Sequence, residues 1–179
     1  MGQPSPQPWR VERSREVISD RWIRLRADDC VDALGRTIAP FYVLEYGDWV
    51  SVAALTPAGE AVAVVEYHHG AGVTGIGLVG GAIEGGEAPA DAAVRELAEE
   101  TGYAAGRIVD LGWTWANWGN QNNRVHHLLA LDCVATAAQQ LDEGEIIDVV
   151  LLPQDGLADR LPQTIHQLTW FRARERLRD

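Results

Sequence analysis

The sequence predicts a mixed α/β sandwich, one domain over residues 1–179, with a mixed central sheet and an N-terminal extension of antiparallel strands. Three observations predict it. Alternating apolar segments dominate up to residue 67, one helical stretch bounded by proline and glycine interrupts the strands, and an amphipathic segment closes the chain. Strands, a helix, strands and a final helix do not fit the regular βαβ alternation of a parallel sheet. The length suits one core, with 46% hydrophobic residues to fill it.

Residues 1–17 are rich in proline and charge and read as a flexible leader. The glycine after Met1 resembles the start of a myristoylation signal, but Pro4 and Pro6 favour an unmodified arm. Within 18–47, WIRLRADDCVDALGRTIAPFYVLEY reads as two strands about the turn Asp32-Ala33-Leu34-Gly35, where Gly35 supplies positive φ. WVSVAALT and AVAVVEY are strands joined by Pro57-Ala58-Gly59-Glu60. Residues 68–87 hold eight of the eighteen glycines and read as a loop with a short strand, able to approach a ligand closely. Pro89 in a first turn and Gly102 just past a last one predict a helix from Ala88 to Thr101, with Val94, Leu97, Ala98 and Thr101 on its buried face. RIVDLGWTWA and RVHHLLALDCVA are strands flanking the polar loop NWGNQNN, and EIIDVVLLP is another strand. The tail LPQTIHQLTWFRARERLRD is a helix with Ile165, Leu168 and Trp170 or Phe171 inward.

Composition narrows the function. A net charge of -11 excludes a binder of nucleic-acid polymers, whose affinity rests on clustered cations. Any anionic substrate needs a metal bridge. All fifteen basic residues are arginine, so lysine Schiff-base chemistry and a P-loop lysine are excluded. Cys30 and Cys133 lack metal-ligand or disulfide spacing and read as small core residues of a cytoplasmic protein. No stretch approaches a membrane span.

The helix carries the chemistry. In RELAEE, Glu96, Glu99 and Glu100 fall at i, i+3 and i+4 and are expected on one side, opposite Val94 and Leu97. Three close carboxylates either form a solvated face or hold a hard cation such as Mg²⁺ or Mn²⁺. Glu87 adds a fourth carboxylate at the helix start, and Arg95 is placed to hold one of them by a bidentate pair.

The frame around these residues decides between the readings. Gly81, then Glu87, then Arg95-Glu96-Leu97-Ala98-Glu99-Glu100-Thr101-Gly102-Tyr103 matches every fixed position of the box, here 81–103, that marks the Nudix hydrolases. The resemblance implies a Nudix-type α/β/α sandwich that cleaves the pyrophosphate of a nucleoside diphosphate derivative. It implies Glu96, Glu99, Glu100 and the Gly80 carbonyl as metal ligands, Glu87 as part of the metal shell, and Arg95 as the residue orienting a glutamate. Glu99, Glu100, Arg95 and Glu145 are the expected catalytic residues. Glu145 is the expected further ligand or general base, although DEGE reads equally as a solvated loop.

Over roughly residues 18 to 170 the chain looks closest to the ADP-ribose pyrophosphatase-like branch, which implies a nucleotide substrate and a homodimer built through the 18–47 strands. Four departures concern the substrate. Gly77-Leu78-Val79-Gly80-Gly81 replaces that branch's usual glutamate-leucine-proline-alanine-glycine, His68 replaces an arginine, Trp118 stands at its marker proline and Asn123 at a loop glutamate. Trp118 can stack on a base, and Asn117, Gln121, Asn122 and Asn123 offer amides that serve a ligand or a turn. Arg124 and His68 can contact phosphate, and of His126 and His127 one is expected packed and the other toward the cleft. A nucleoside triphosphate pyrophosphohydrolase is the alternative enzyme, and a non-catalytic nucleotide-sugar sensor the alternative class.

Overall fold

The computed structural model describes residues 5–178, so the myristoylation-like start lies outside the described residues. The chain forms two compact units. One runs to Tyr46 and includes Trp115–Asn123; the other comprises Gly47–Thr114 and Arg124 to the C-terminus.

The first unit is an antiparallel sheet of β1 (Arg10–Ser19), β2 (Arg24–Val31) and β3 (Thr37–Glu45) in that spatial order. β1 begins inside the stretch expected to be a leader and runs two residues past it, and all ten of its residues are exposed. With no buried face, its side chains carry no hydrophobic alternation. It forms because its backbone pairs with β2, Arg10 opposite Val31 through Ser19 opposite Arg24. The Asp32–Gly35 turn closes as expected, with Gly35 at φ 77°.

The second unit holds β4 (Trp49–Leu55), β5 (Ala61–His68), β6 (Val73–Gly77), β7 (Val79–Ala82), α1 (Pro89–Thr101), β8 (Tyr103–Ala104) and β9 (Arg107–Trp115), the last strand ending at the boundary. It continues with β10 (Arg124–Leu131), β11 (Val134–Ala135), β12 (Ile147–Leu152), α2 (Leu157–Arg160) and α3 (Thr164–Arg176). Its mixed sheet runs β12-β5-β4-β10-β9, with β10 parallel to β4. β4 and β5 pair only at Ala54–Val62 and Leu55–Ala61 and then separate, β7 pairing with β4 and β6 with β5. The glycine-rich stretch therefore contains two strands, not one.

Strand alternation divides the core. Val50, Val52, Ala54, Val62 and Val64 face α1, packing with Ala92, Ala93 and Leu97. Ala53, Leu55, Ala61 and Ala63 face the other layer, with Leu157, Leu161, Trp170 and Ala173 of the C-terminal segment. This is the expected α/β/α arrangement. Of the alternatives for the tail, Trp170 is wholly buried and Phe171 is exposed. Across the second face, His127 is sealed between Thr114 Oγ1 at 2.9 Å and Thr169 Oγ1 at 2.7 Å, and Thr169 Oγ1 lies 2.8 Å from Ser51 Oγ. Burial above all lowers the His127 pKa to about 4.

Candidate active site

β7 runs beside β4 with Gly80 opposite Ser51 and Gly81 opposite Val50. A Cβ on Gly80 would lie 2.5 Å from the Val50 carbonyl oxygen, and one on Gly81 would overlap the Glu96 carboxylate. Close approach, with no need for positive φ, is what calls for glycine at both positions. Beyond the turn, Pro89 opens α1 and Gly102 closes it at φ 71°, its N–H donating to the Ala98 carbonyl.

The buried residues of α1 are Ala92, Ala93, Leu97 and Thr101; Val94 and Ala98, expected inside, are exposed. The carboxylates also differ from expectation. Residues three apart on a helix stand only about 60° apart around its axis, so Glu100 flanks Leu97 and does not oppose it. Glu96 sits at Gly81, and Glu100 accepts the Gly80 N–H. Both are thus drawn against β7, and Glu99 is the more exposed.

Arg95 binds three carboxylates where one was expected. Its Nε and Nη2 each donate to Glu87 at 3.0 Å, and its Nη1 donates to Glu96 at 2.8 Å and to Glu99 at 3.0 Å. Nη2 also donates to the Ala82 carbonyl at 2.9 Å. These bonds hold the Glu87 carboxyl below the usual carboxylate range and raise the guanidinium further. Burial raises Glu96 in spite of Arg95.

Glu100 lies beyond the reach of Arg95's hydrogen bonds. Burial first, then the charges of Glu96 and Glu66, push it up to about 9, against the Gly80 N–H that favours the anion. Its Oε2 is buried with no hydrogen-bond partner. Among the described residues no three His, Cys, Asp or Glu side chains already form a ligand set, because three of the glutamates are turned onto Arg95. The chemistry of the donors nevertheless fits a hard cation: carboxylate oxygens, a nearby backbone carbonyl, and one buried carboxylate oxygen left without a partner.

The other predicted residues scatter. Glu145 folds back to accept the Asp142 N–H at 3.1 Å, yet lies near enough to raise both Glu96 and Glu100. His68 Nε2 is 3.5 Å from Glu66 Oε1. Arg124 stacks 4.3 Å from the Trp113 ring centre, and its N–H donates to Asp48 at 2.7 Å. His127 is the packed histidine, and His126 lies 3.5 Å from Asp48. In the first unit, Trp118 is 85% exposed, and the amides mostly build turns. Asn117 accepts the Gly119 N–H and donates to Asn120, while Asn122 accepts the Tyr46 N–H. Asn123 is buried, its Oδ1 without a partner.

Glu66 escaped the sequence reading. The available signal was strand parity: Val62, Val64 and Glu66 share one face of β5, and the first two lie in the core beneath α1.

Comparisons place these features among known proteins. A family model described as NUDIX domain matches residues 41–172, and one described as nucleoside diphosphate sugar hydrolase N-terminal domain matches residues 9–44. The chain is 30% identical over 136 residues to an ADP-ribose pyrophosphatase of Bacillus subtilis (strain 168), covering 75% of this chain and 73% of that protein. It is 28% identical over 144 residues to a methanol dehydrogenase activator of Bacillus methanolicus, covering 80% and 77%. A crystal structure described as an ADP compounds hydrolase shares the fold with a TM-score of 0.84 at 21% identity, over 98% of this chain and 97% of that one.

Proposed function

This chain is a member of the Nudix family, and from that premise we propose that it hydrolyses the pyrophosphate linkage of ADP-ribose or a related nucleoside diphosphate sugar. The observation that carries the reading is the gathering of Glu87, Glu96 and Glu99 on Arg95 beside Glu100, whose buried Oε2 has no partner. The ADP-ribose pyrophosphatase relative and the match to a nucleoside diphosphate sugar hydrolase segment support the substrate class.

Glu96, Glu99, Glu100 and the Gly80 carbonyl would hold Mg²⁺ or Mn²⁺, with Glu87 steadying the set through Arg95. Bound there, the cation would supply charge neutralisation at the diphosphate and a lowered pKa for an attacking water. Arg95 fixes the glutamate rotamers, and Gly80 and Gly81 admit the carboxylates against β7. Glu145, near Glu96 and Glu100, accepts the water proton. One P–O bond of the anhydride breaks as water's oxygen bonds to phosphorus, giving AMP and ribose phosphate from ADP-ribose. Trp118 presents an exposed ring for stacking on the base, and Asn123, Arg124 and His68 supply polar contacts to the substrate.

The protein works as a homodimer through its N-terminal strands. β1 is an edge strand exposing Val11, Val17 and Ile18, an arrangement suited to pairing with a second copy. Two buried, unpaired cysteines support a cytoplasmic location, and no helix among the described residues is long and apolar enough to cross a membrane.

The test is a panel of ADP-ribose, other nucleotide sugars, dinucleoside polyphosphates and nucleoside triphosphates, incubated with Mg²⁺ or Mn²⁺ and resolved by chromatography. Monophosphate and sugar phosphate from a diphosphate sugar support the reading; pyrophosphate released only from triphosphates replaces it with the triphosphate alternative.

A further inference from the structure

We propose that Glu66 is the sheet's own member of the cation-holding carboxylate set, joining Glu96 and Glu100 of α1 from the face of β5. The inference rests on the functional reading above and adds a residue that lies outside the box.

Strand parity sets its direction. Val62 and Val64 of β5 point into the core occupied by Ala92, Ala93 and Leu97, and two residues further on the same face presents Glu66. Register places its neighbours. Glu66 lies opposite Gly75 of β6 on one side and Ile147 of β12 on the other. Gln139 Nε2 donates to the Ile147 carbonyl at 3.0 Å and to the Glu100 carbonyl at 2.5 Å, so the last turn of α1 is tied to the residue beside Glu66.

Charge balance then favours a cation. Arg95 is engaged by Glu87, Glu96 and Glu99, and Glu66 Oε1 has His68 Nε2 at 3.5 Å. A further carboxylate facing an already anionic group costs stability unless a cation lies among them. Mg²⁺ and Mn²⁺ sites retain waters that need acceptors, and carboxylates beyond the direct ligands tune affinity by about 10- to 100-fold. If Glu66 is only a half-exposed strand residue paired with His68, removing its charge leaves metal binding unchanged.

The test is Mn²⁺ binding to metal-stripped full-length protein, followed by electron paramagnetic resonance without substrate, for wild type, Glu66→Gln, Glu66→Ala and Glu99→Gln. Circular dichroism confirms folding of each variant, and the near-isosteric Gln variant decides if the Ala variant does not fold. The expected result is Mn²⁺ affinity weakened about ten-fold in Glu66→Gln and at least as much in Glu99→Gln. In turnover, Glu66→Gln shifts half-saturation by Mn²⁺ in the same direction while the substrate KM at saturating metal is unchanged. Wild-type Mn²⁺ affinity in both Glu66 variants, with affinity lost in Glu99→Gln, overturns the Glu66 inference and leaves the box assignment standing. Wild-type affinity in all three variants overturns the box assignment and this inference with it.

Discussion

The Glu96 carboxylate occupies the space that a side chain at Gly81 would need. The glycine of β7 and the glutamate of α1, fifteen positions apart in the chain, are one steric unit. Gly81 is not held at positive φ, so alanine suits its backbone, and the three atoms nearest its Cβ would all belong to Glu96. Gly81→Ala is expected to leave the circular dichroism spectrum unchanged and to lower kcat by about 100-fold, the scale of a displaced catalytic group. Steady-state kinetics at saturating Mg²⁺ check it, and wild-type kcat would mean that the position of Glu96 is immaterial.

Arg95 ties Glu87, Glu96 and Glu99 with one planar fork. Lysine keeps the charge but has no fork. Arg95→Lys should weaken Mn²⁺ binding by about ten-fold or more, as the loss of an orienting partner does. Titration calorimetry with Mn²⁺ measures this directly; unchanged affinity would reduce Arg95 to a surface cation.

Trp118, 85% exposed, is the residue proposed to stack on the substrate's base. Stacking of a base on an aromatic ring contributes about 1–3 kcal/mol. Trp118→Ala should therefore raise KM for ADP-ribose by about ten-fold while kcat at saturation is unchanged. Equal KM values would remove Trp118 from base recognition.

His127 gives the second unit a predictable acid sensitivity. Its folded pKa of about 4 lies below the ordinary 6.5, so protonation favours the unfolded chain. The stabilisation is complete above pH 6.5, declines as pH falls toward 4 and is lost below it. At about 1.4 kcal/mol per pKa unit the window spans at most about 3.5 kcal/mol. Urea unfolding between pH 7.5 and 4 should show a shallower decline in His127→Gln than in wild type, and parallel declines would contradict the assignment.

The box was legible because fixed gaps between Gly81, Glu87 and the Arg95–Tyr103 string tie chemistry to spacing, and Pro89 and Gly102 mark the ends of α1 by their backbone limits. The direction of its carboxylates was not legible. Glu100 and Leu97 are neighbours around the helix, and only contact with β7 shows that Glu96 and Glu100 turn inward. β1 was missed because none of its residues is buried, and the second strand of the glycine-rich segment because glycine carries no alternation. Glu66 shares a face of β5 with Val62 and Val64, but which helix covers that face follows only from the packing.

The most direct measurement is ADP-ribose turnover by wild type, Glu99→Gln and Glu100→Gln in Mg²⁺, with and without EDTA. The expected result is AMP and ribose phosphate from wild type, abolished by EDTA, with turnover reduced by orders of magnitude in both folded variants, since metal Lewis acidity contributes several kcal/mol. Undiminished hydrolysis in both variants, or hydrolysis indifferent to EDTA, would contradict the claim that these glutamates hold the catalytic cation.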